Sequence, residues 1–103
     1  MAHTFFADLS QAIETIPTDS IVSRTILKDG QLKVIVFAFA PGQELSQHTA
    51  SVPAMIHILE GECDLTIGEA AYPGRTGSWV HMDANTPHSL LARTPVKMLL
   101  IMM

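Results

Sequence analysis

PGQELSQHTASVPAMIHILEG, residues Pro41 to Gly61, is the stretch whose reading decides the fold. Pro41-Gly42 and Gly61 punctuate its ends, and between them lie two short strand-like runs, Glu44–Thr49 and Ala54–Leu59. Strands bounded closely by glycine and proline, with no helical period between them, belong to antiparallel all-β folds. A second passage, GSWVHMDANTPHSL from Gly77 to Leu90, has the same character and carries His88 as the first carries His48.

Working outward, the same pattern continues. Ile21–Leu27 is rich in β-branched residues and leads into Lys28-Asp29-Gly30, where Asp-Gly signals a hairpin. Leu32–Ala40 follows as a long apolar strand. Glu62–Ile67, Ser78–Met82, Ser89–Arg93 and Val96–Met103 complete the set, separated by Gly68, Pro73-Gly74, Asn85–Pro87 and Pro95. Even spacing of many short strands predicts an antiparallel sandwich or barrel. Only Asp8–Ile16 reads otherwise: Leu9, Ala12, Ile13 and Ile16 fall at helical spacing and Pro17 ends the run, which predicts one short helix.

At 103 residues the chain is expected to form one domain, an N-terminal segment over 1–20 followed by a β-barrel over 21–103. With 48% hydrophobic and 16% charged residues it has the make-up of a packed globular chain. The net charge of −4 is spread without a basic run, which argues against nucleic acid as a partner. The longest apolar run, Met98–Met103, is too short to span a bilayer, and Asp8 interrupts any leader-like stretch after Phe5-Phe6. Cys63 is alone and flanked by Glu62 and Asp64, which disfavour a thiolate. A cytoplasmic protein with an inert structural thiol is expected.

Met55–Leu59 and Met98–Met103 are apolar or weakly polar on both faces, whereas a sheet with one wet face alternates. One face must meet the barrel interior and the other needs separate cover. The N-terminal segment can hide part of it, and a second subunit is the economical cover for the rest, so a homodimer is expected.

With both passages in view, the chain resembles a small single-domain cupin of the conserved-barrel, RmlC-like kind, over roughly Ile21 to Met103. The first cupin motif is Gly, five residues, His-x-His, three or four residues, Glu, six residues and Gly; Gly42, His48 and Gly61 keep it here. The second is Gly, five residues, Pro-x-Gly, two residues, His, three residues and Asn; Gly77 and His88 keep it, with Asp83 at the proline position and Asn85 at the second glycine position. The resemblance implies a jelly-roll barrel of about six to eight strands with the two motifs meeting inside. In metal-binding cupins the motif histidines and glutamate ligate the ion. Here the resemblance carries over His48 and His88 alone, because Ala50 stands at the second histidine position, Ala54 at the glutamate and Ala92 at the asparagine.

Three readings of His48 and His88 stand side by side. They hold one divalent transition metal (Mn, Fe, Ni or Zn), they hydrogen-bond a small polar molecule without metal, or they are buried histidines satisfied by backbone groups. Gln47 and Glu44 are near in sequence, but no spacing aims them at the pocket. By strand parity His57 faces away from Ala54 and so out of the barrel, and His81 is read as its neighbour near the dimer surface rather than as a metal ligand. His3 has no assigned role. Trp79, Phe39 and Met82 are the candidate pocket lining, with core filling as the plainer reading of each, and Asp83 reads as a turn residue leading to Asn85. Arg24, Arg75 and Arg93 read as solvated. The functional expectation is a small-molecule-binding protein, with a metal-dependent enzyme (oxygenase, isomerase or decarboxylase) acting on a small organic acid or sugar derivative as the alternative.

Overall fold

A computed structural model describes residues 2–103. Among them, nine strands form two antiparallel sheets: β1 (Ile21–Asp29), β2 (Leu32–Phe39), β3 (Glu44–His48), β4 (Ala54–Glu60), β5 (Glu62–Ile67), β6 (Ala70–Arg75), β7 (Trp79–Met82), β8 (His88–Ala92) and β9 (Val96–Met102). One sheet has the order β1-β2-β9-β4-β7 and the other β3-β8-β5-β6. Every connection except β1–β2 and β5–β6 passes from one sheet to the other, and β2–β3, β4–β5, β6–β7 and β8–β9 do so between strands at matching places in the two orders. Laid against each other, the two orders therefore match strand for strand: β3 opposes β2, β8 opposes β9, β5 opposes β4 and β6 opposes β7. This is the jelly-roll arrangement. No ladder joins the two sheets among the described residues, so the expected barrel is a sandwich with open edges at β1, β7, β3 and β6.

The interior is set by alternation. Ala54, Ile56 and Ile58 of β4 are buried in the main core with Ile35 and Phe39 of β2, Met98 and Leu100 of β9, Met82 of β7, and Cys63, Leu65 and Leu90 of the facing sheet. The intervening residues of the large sheet face outward, and part of that surface is covered by the chain's own N-terminal segment. Ala12, Val36 and Leu99 form a second buried cluster there, with Phe6, Leu9, Ile13 and Leu59 packed against it. The segment is a single 3-10 turn at Leu9–Ala12, capped by Asp8, whose carboxylate accepts from the Ser10 backbone N–H at 3.0 Å. The longer helix expected over Asp8–Ile16 stops after this one turn: Ile13 is already extended, and two cations of the large sheet take carbonyls that further helical bonds would use. Lys97, 8% exposed, donates to the Ser10 carbonyl at 2.6 Å, and Arg24 donates to the Ala12 carbonyl at 3.0 Å.

Strand β6 was not among the expected strands, since Pro73-Gly74 reads as punctuation. It forms because β6 is an edge, where proline gives up no ladder bond. Gly74 is needed there for room: a Cβ on it would stand 2.7 Å from the Cys63 sulfur.

Candidate functional site

His48 and His88 are neighbours. They sit opposite each other in the β3–β8 ladder, with ring centroids 4.1 Å apart at an interplanar angle of 60°. What brings His48 inward is an irregularity in β3. Leu45 pairs with Leu90 and His48 with His88, so two residues, Ser46 and Gln47, stand against the single Ser89. A bulge of this kind re-aims the side chains beyond it. Strict alternation from the inward Leu45 would have turned Gln47 inside and His48 out. Glu44 and Gln47 are both exposed.

Each imidazole is oriented by its own chain. His48 Nδ1 lies 2.8 Å from the Ser46 carbonyl oxygen, and His88 Nδ1 lies 2.9 Å from that of Thr86. A carbonyl only accepts, so each Nδ1 carries the proton, and each Nε2 presents a lone pair. The loop beneath His88 is tied down as well. The Asp83 carbonyl accepts from the Thr86 hydroxyl at 2.8 Å, and the Asn85 backbone N–H donates to the Ala50 carbonyl at 2.7 Å, joining the two histidine-bearing passages. Asn85 has φ 66°, the left-handed region that asparagine tolerates better than most residues.

The pair marks one end of the sandwich. Ile67 of β5 is opposite His88, and Ala70 of β6 is opposite Ile67. On the facing sheet the end row runs Lys33, Met102, Ala54, Met82 across β2, β9, β4 and β7. Met82 therefore shares the histidines' end. Two other expected lining residues do not, and both expectations are corrected. Phe39 is fully buried six residues from Lys33 along β2, about 20 Å away at the rise of a strand, and plugs the opposite end. Trp79 is 61% exposed, because it pairs with His57 on the outer face of β4 and β7. His81 pairs with Met55 on that same face, so His57 and His81 are diagonal rather than direct partners and neither reaches the interior. Trp79 instead rims a lateral cleft of about 650 Å³ between β6 and β7, floored by Leu65, Ile67 and Val80.

Burial controls the electrostatics here. His88, 4% exposed, has its pKa lowered from the ordinary 6.5, chiefly by desolvation; the Thr86 carbonyl works the other way, and the nearby His48 adds to the lowering. The sign for stability follows. The unfolded chain binds the proton first as pH falls through about 6.5, so stability is full above that value and declines below it until the folded-state value is reached. His88→Asn keeps a donor for the Thr86 carbonyl but cannot titrate. Its urea midpoint is expected to fall less steeply with acid than that of the wild type; parallel curves would contradict the assignment.

The donor set falls short of a metal centre. Ala54 lies in the end row, where the resemblance would put a carboxylate, and no group of three or more His, Cys, Asp or Glu side chains able to hold an ion exists among the described residues. Two imidazoles make a weak site for a divalent ion. Cys63 offers no ligand either: it is buried, with its thiol pushed up to about 11 by desolvation and by the Asp64 charge. Asp64 itself pairs with Arg93 on the surface, Nε to Oδ2 2.8 Å. Arg24, exposed on β1, holds its guanidinium 5.8 Å over the Phe6 ring and donates to the Ala12 carbonyl.

Comparison with known proteins agrees with this architecture. The family model described as Cupin domain matches residues 35–102. A search among curated proteins returns no match. Among solved structures, a conserved protein of unknown function from Streptococcus pyogenes is 33% identical with a TM-score of 0.86, over 100% of this chain and 90% of that one. An RmlC-like cupin from Desulfovibrio desulfuricans is 28% identical with a TM-score of 0.79, over 96% and 95% of the two chains. A cupin superfamily protein from Desulfitobacterium hafniense, 21% identical with a TM-score of 0.86 over 92% and 86%, shares the fold. From strand order, paired histidines and family match together, the chain belongs to the cupin family.

Proposed function

We propose that this cupin binds a small polar molecule at the end of its sandwich through the Nε2 atoms of His48 and His88. The observation that supports it is the matched anchoring of the two rings. Each Nδ1 is held by a backbone carbonyl two residues back, so both remaining nitrogens are oriented acceptors in a largely apolar setting. Convergent polar groups on apolar walls are the usual make-up of a ligand pocket. The same anchoring is how metal-binding imidazoles are oriented, which keeps the metal-dependent enzyme as the second reading; substrate or water would have to complete its ligand shell.

Elemental analysis of protein purified without chelator or histidine tag separates the two. Metal below about a tenth of an equivalent is the expected result for the metal-free pocket. Stoichiometric Mn, Fe, Ni or Zn, lost in His48→Ala or His88→Ala, would establish the enzyme reading instead.

The assembly belongs to the same proposal. Met55, His57, Trp79 and His81 lie on the outer face of the large sheet beside the part that the N-terminal segment covers, and a second copy is the proposed cover. Sedimentation is expected to give a dimer at micromolar concentration, with a clean monomer as the contrary outcome. No described helix is long and apolar enough to cross a membrane, and a reducing cytoplasmic setting is proposed from the lone buried thiol.

A further inference from the structure

Lys33 is the residue at the histidine end that the fold does not explain. It lies on β2 at an inward register position, in step with Ile35 and Phe39 of the core, and β2 is the strand opposed to β3, which carries His48. Lys33 is half-buried. Among the described residues it has no ion pair and no side-chain hydrogen bond, the sole ion pair being Arg93–Asp64. Two other cations of this sheet have partners, the buried Lys97 in the Ser10 carbonyl and the exposed Arg24 in that of Ala12.

The opposing residue in the neighbouring strand aggravates the position. Lys33 pairs with Lys28, so two ammonium groups share one face at one cross-strand site. Like charges placed this way are destabilising. With six Lys and Arg against ten Asp and Glu in the chain, a chance doubling of cations here is unexpected. The carboxylates at this end, Asp29, Glu69 and Asp83, stand in or beside the turns and none pairs with Lys33.

The two sides of the mouth thus differ in what they ask of a ligand. Sheets that face each other stand about 10 Å apart, so Lys33 on one and the His48–His88 pair on the other stand on opposed walls of the same end. The Nε2 lone pairs accept and need a hydrogen-bond donor. The ammonium donates and needs an anion. Met82, Ala54, Ile67 and Met102 make the rest of this end apolar.

We propose that the pocket takes a small hydroxycarboxylate, its hydroxyl donating to an Nε2 of the His48–His88 pair and its carboxylate held by Lys33. This rests on the pocket reading above and adds the ligand class and the counter-charge. A neutral diol would leave the ammonium unpaired, and a plain carboxylate would leave the imidazole lone pairs without a donor. A charge-assisted bond of this kind carries a tenfold or larger share of affinity.

Three probes of equal length separate the terms: lactate, propionate and 1,2-propanediol, titrated at pH 7.5 while the imidazole nitrogen and backbone amide resonances are followed by NMR. Lactate is expected to bind at least about tenfold more tightly than either of the others. Lys33→Gln is expected to bring lactate down to the level of propanediol, and Lys33→Arg to restore most of the difference. His88→Asn is expected to bring lactate toward propionate. If lactate binds and Lys33→Gln leaves its affinity unchanged, the lysine assignment is overturned while the histidine pocket stands. If none of the three moves the His48 and His88 resonances, while zinc alone does, the hydroxycarboxylate is overturned and the metal reading gains. If neither probe nor metal moves them, the pocket itself is overturned. Amide spectra of each variant that overlay the wild type away from the site confirm that the fold is kept.

Discussion

Truncating Phe39 to alanine is expected to cost about 3–5 kcal/mol, enough to bring a domain of this size close to unfolding. The ring is fully buried at the end of the sandwich remote from the histidines and packs at 6.2 Å and 26° against Phe37. Removing it loses the transfer energy of the ring, leaves a cavity that surrounding strands cannot close, and forfeits the aromatic contact. Phe39→Leu keeps much of the volume and is expected to cost less than half as much. Urea denaturation of the three proteins measures both. A loss below about 1 kcal/mol for Phe39→Ala would show that the ring is not a core plug.

The second large effect is expected at Gly61. It turns the chain from β4 into β5 with φ 100°, a conformation that L side chains rarely adopt, and a Cβ there would collide with the Pro95 carbonyl while standing 3.0 Å from the Thr94 hydroxyl. Backbone strain alone costs about 1–3 kcal/mol. The collision adds a comparable amount, because the Pro95 carbonyl is backbone and cannot swing aside. Gly77 supplies the control. Its φ is 93°, but a Cβ there meets nothing within 4 Å. Gly77→Ala should therefore show the strain without the collision, and thermal or urea midpoints should place Gly61→Ala well below it. Equal midpoints would mean that Pro95 yields freely and the turn is looser than the structure indicates.

Most of the strand pattern was legible because its punctuation is local. Asp29-Gly30, Pro41-Gly42, Gly61 and Pro95 each act within a residue or two of where they stand, and the strands between them were placed to within about two residues. What the sequence could not show is nonlocal. Pro73-Gly74 looks like a break, and becomes a strand only because β6 is at an edge and Gly74 lies over Cys63. Trp79 looks like a core residue by type, and is exposed because its pairing with His57 puts it on the outer face.

The candidate residues were legible in part. Motif spacing singled out His48 and His88, and parity placed His57 outside, where the ladder also has it. The bulge at Ser46–Gln47 that turns His48 inward had no local signal, since neither residue is glycine. Lys33 gives no local signal for a related reason. It sits in an apolar strand as an ordinary polar end residue, and becomes conspicuous only once β2 is known to oppose β3.

The placement of β9 bears on how the molecule comes to be made. The strand latest in the chain lies between β2 and β4, bonding Lys33 and Ala54 through the same Met102. Until it arrives, β2 and β4 have no ladder to share, and each offers an unpaired edge beside a greasy inner surface. During synthesis the nascent chain must therefore wait, with its hairpins formed but its larger sheet split, for β9 to clear the ribosome. Pairings across sequence separations of 48 and 69 residues, read from Ala54–Met102 and Lys33–Met102, make that closing step the slow one and the interval before it the aggregation-prone one.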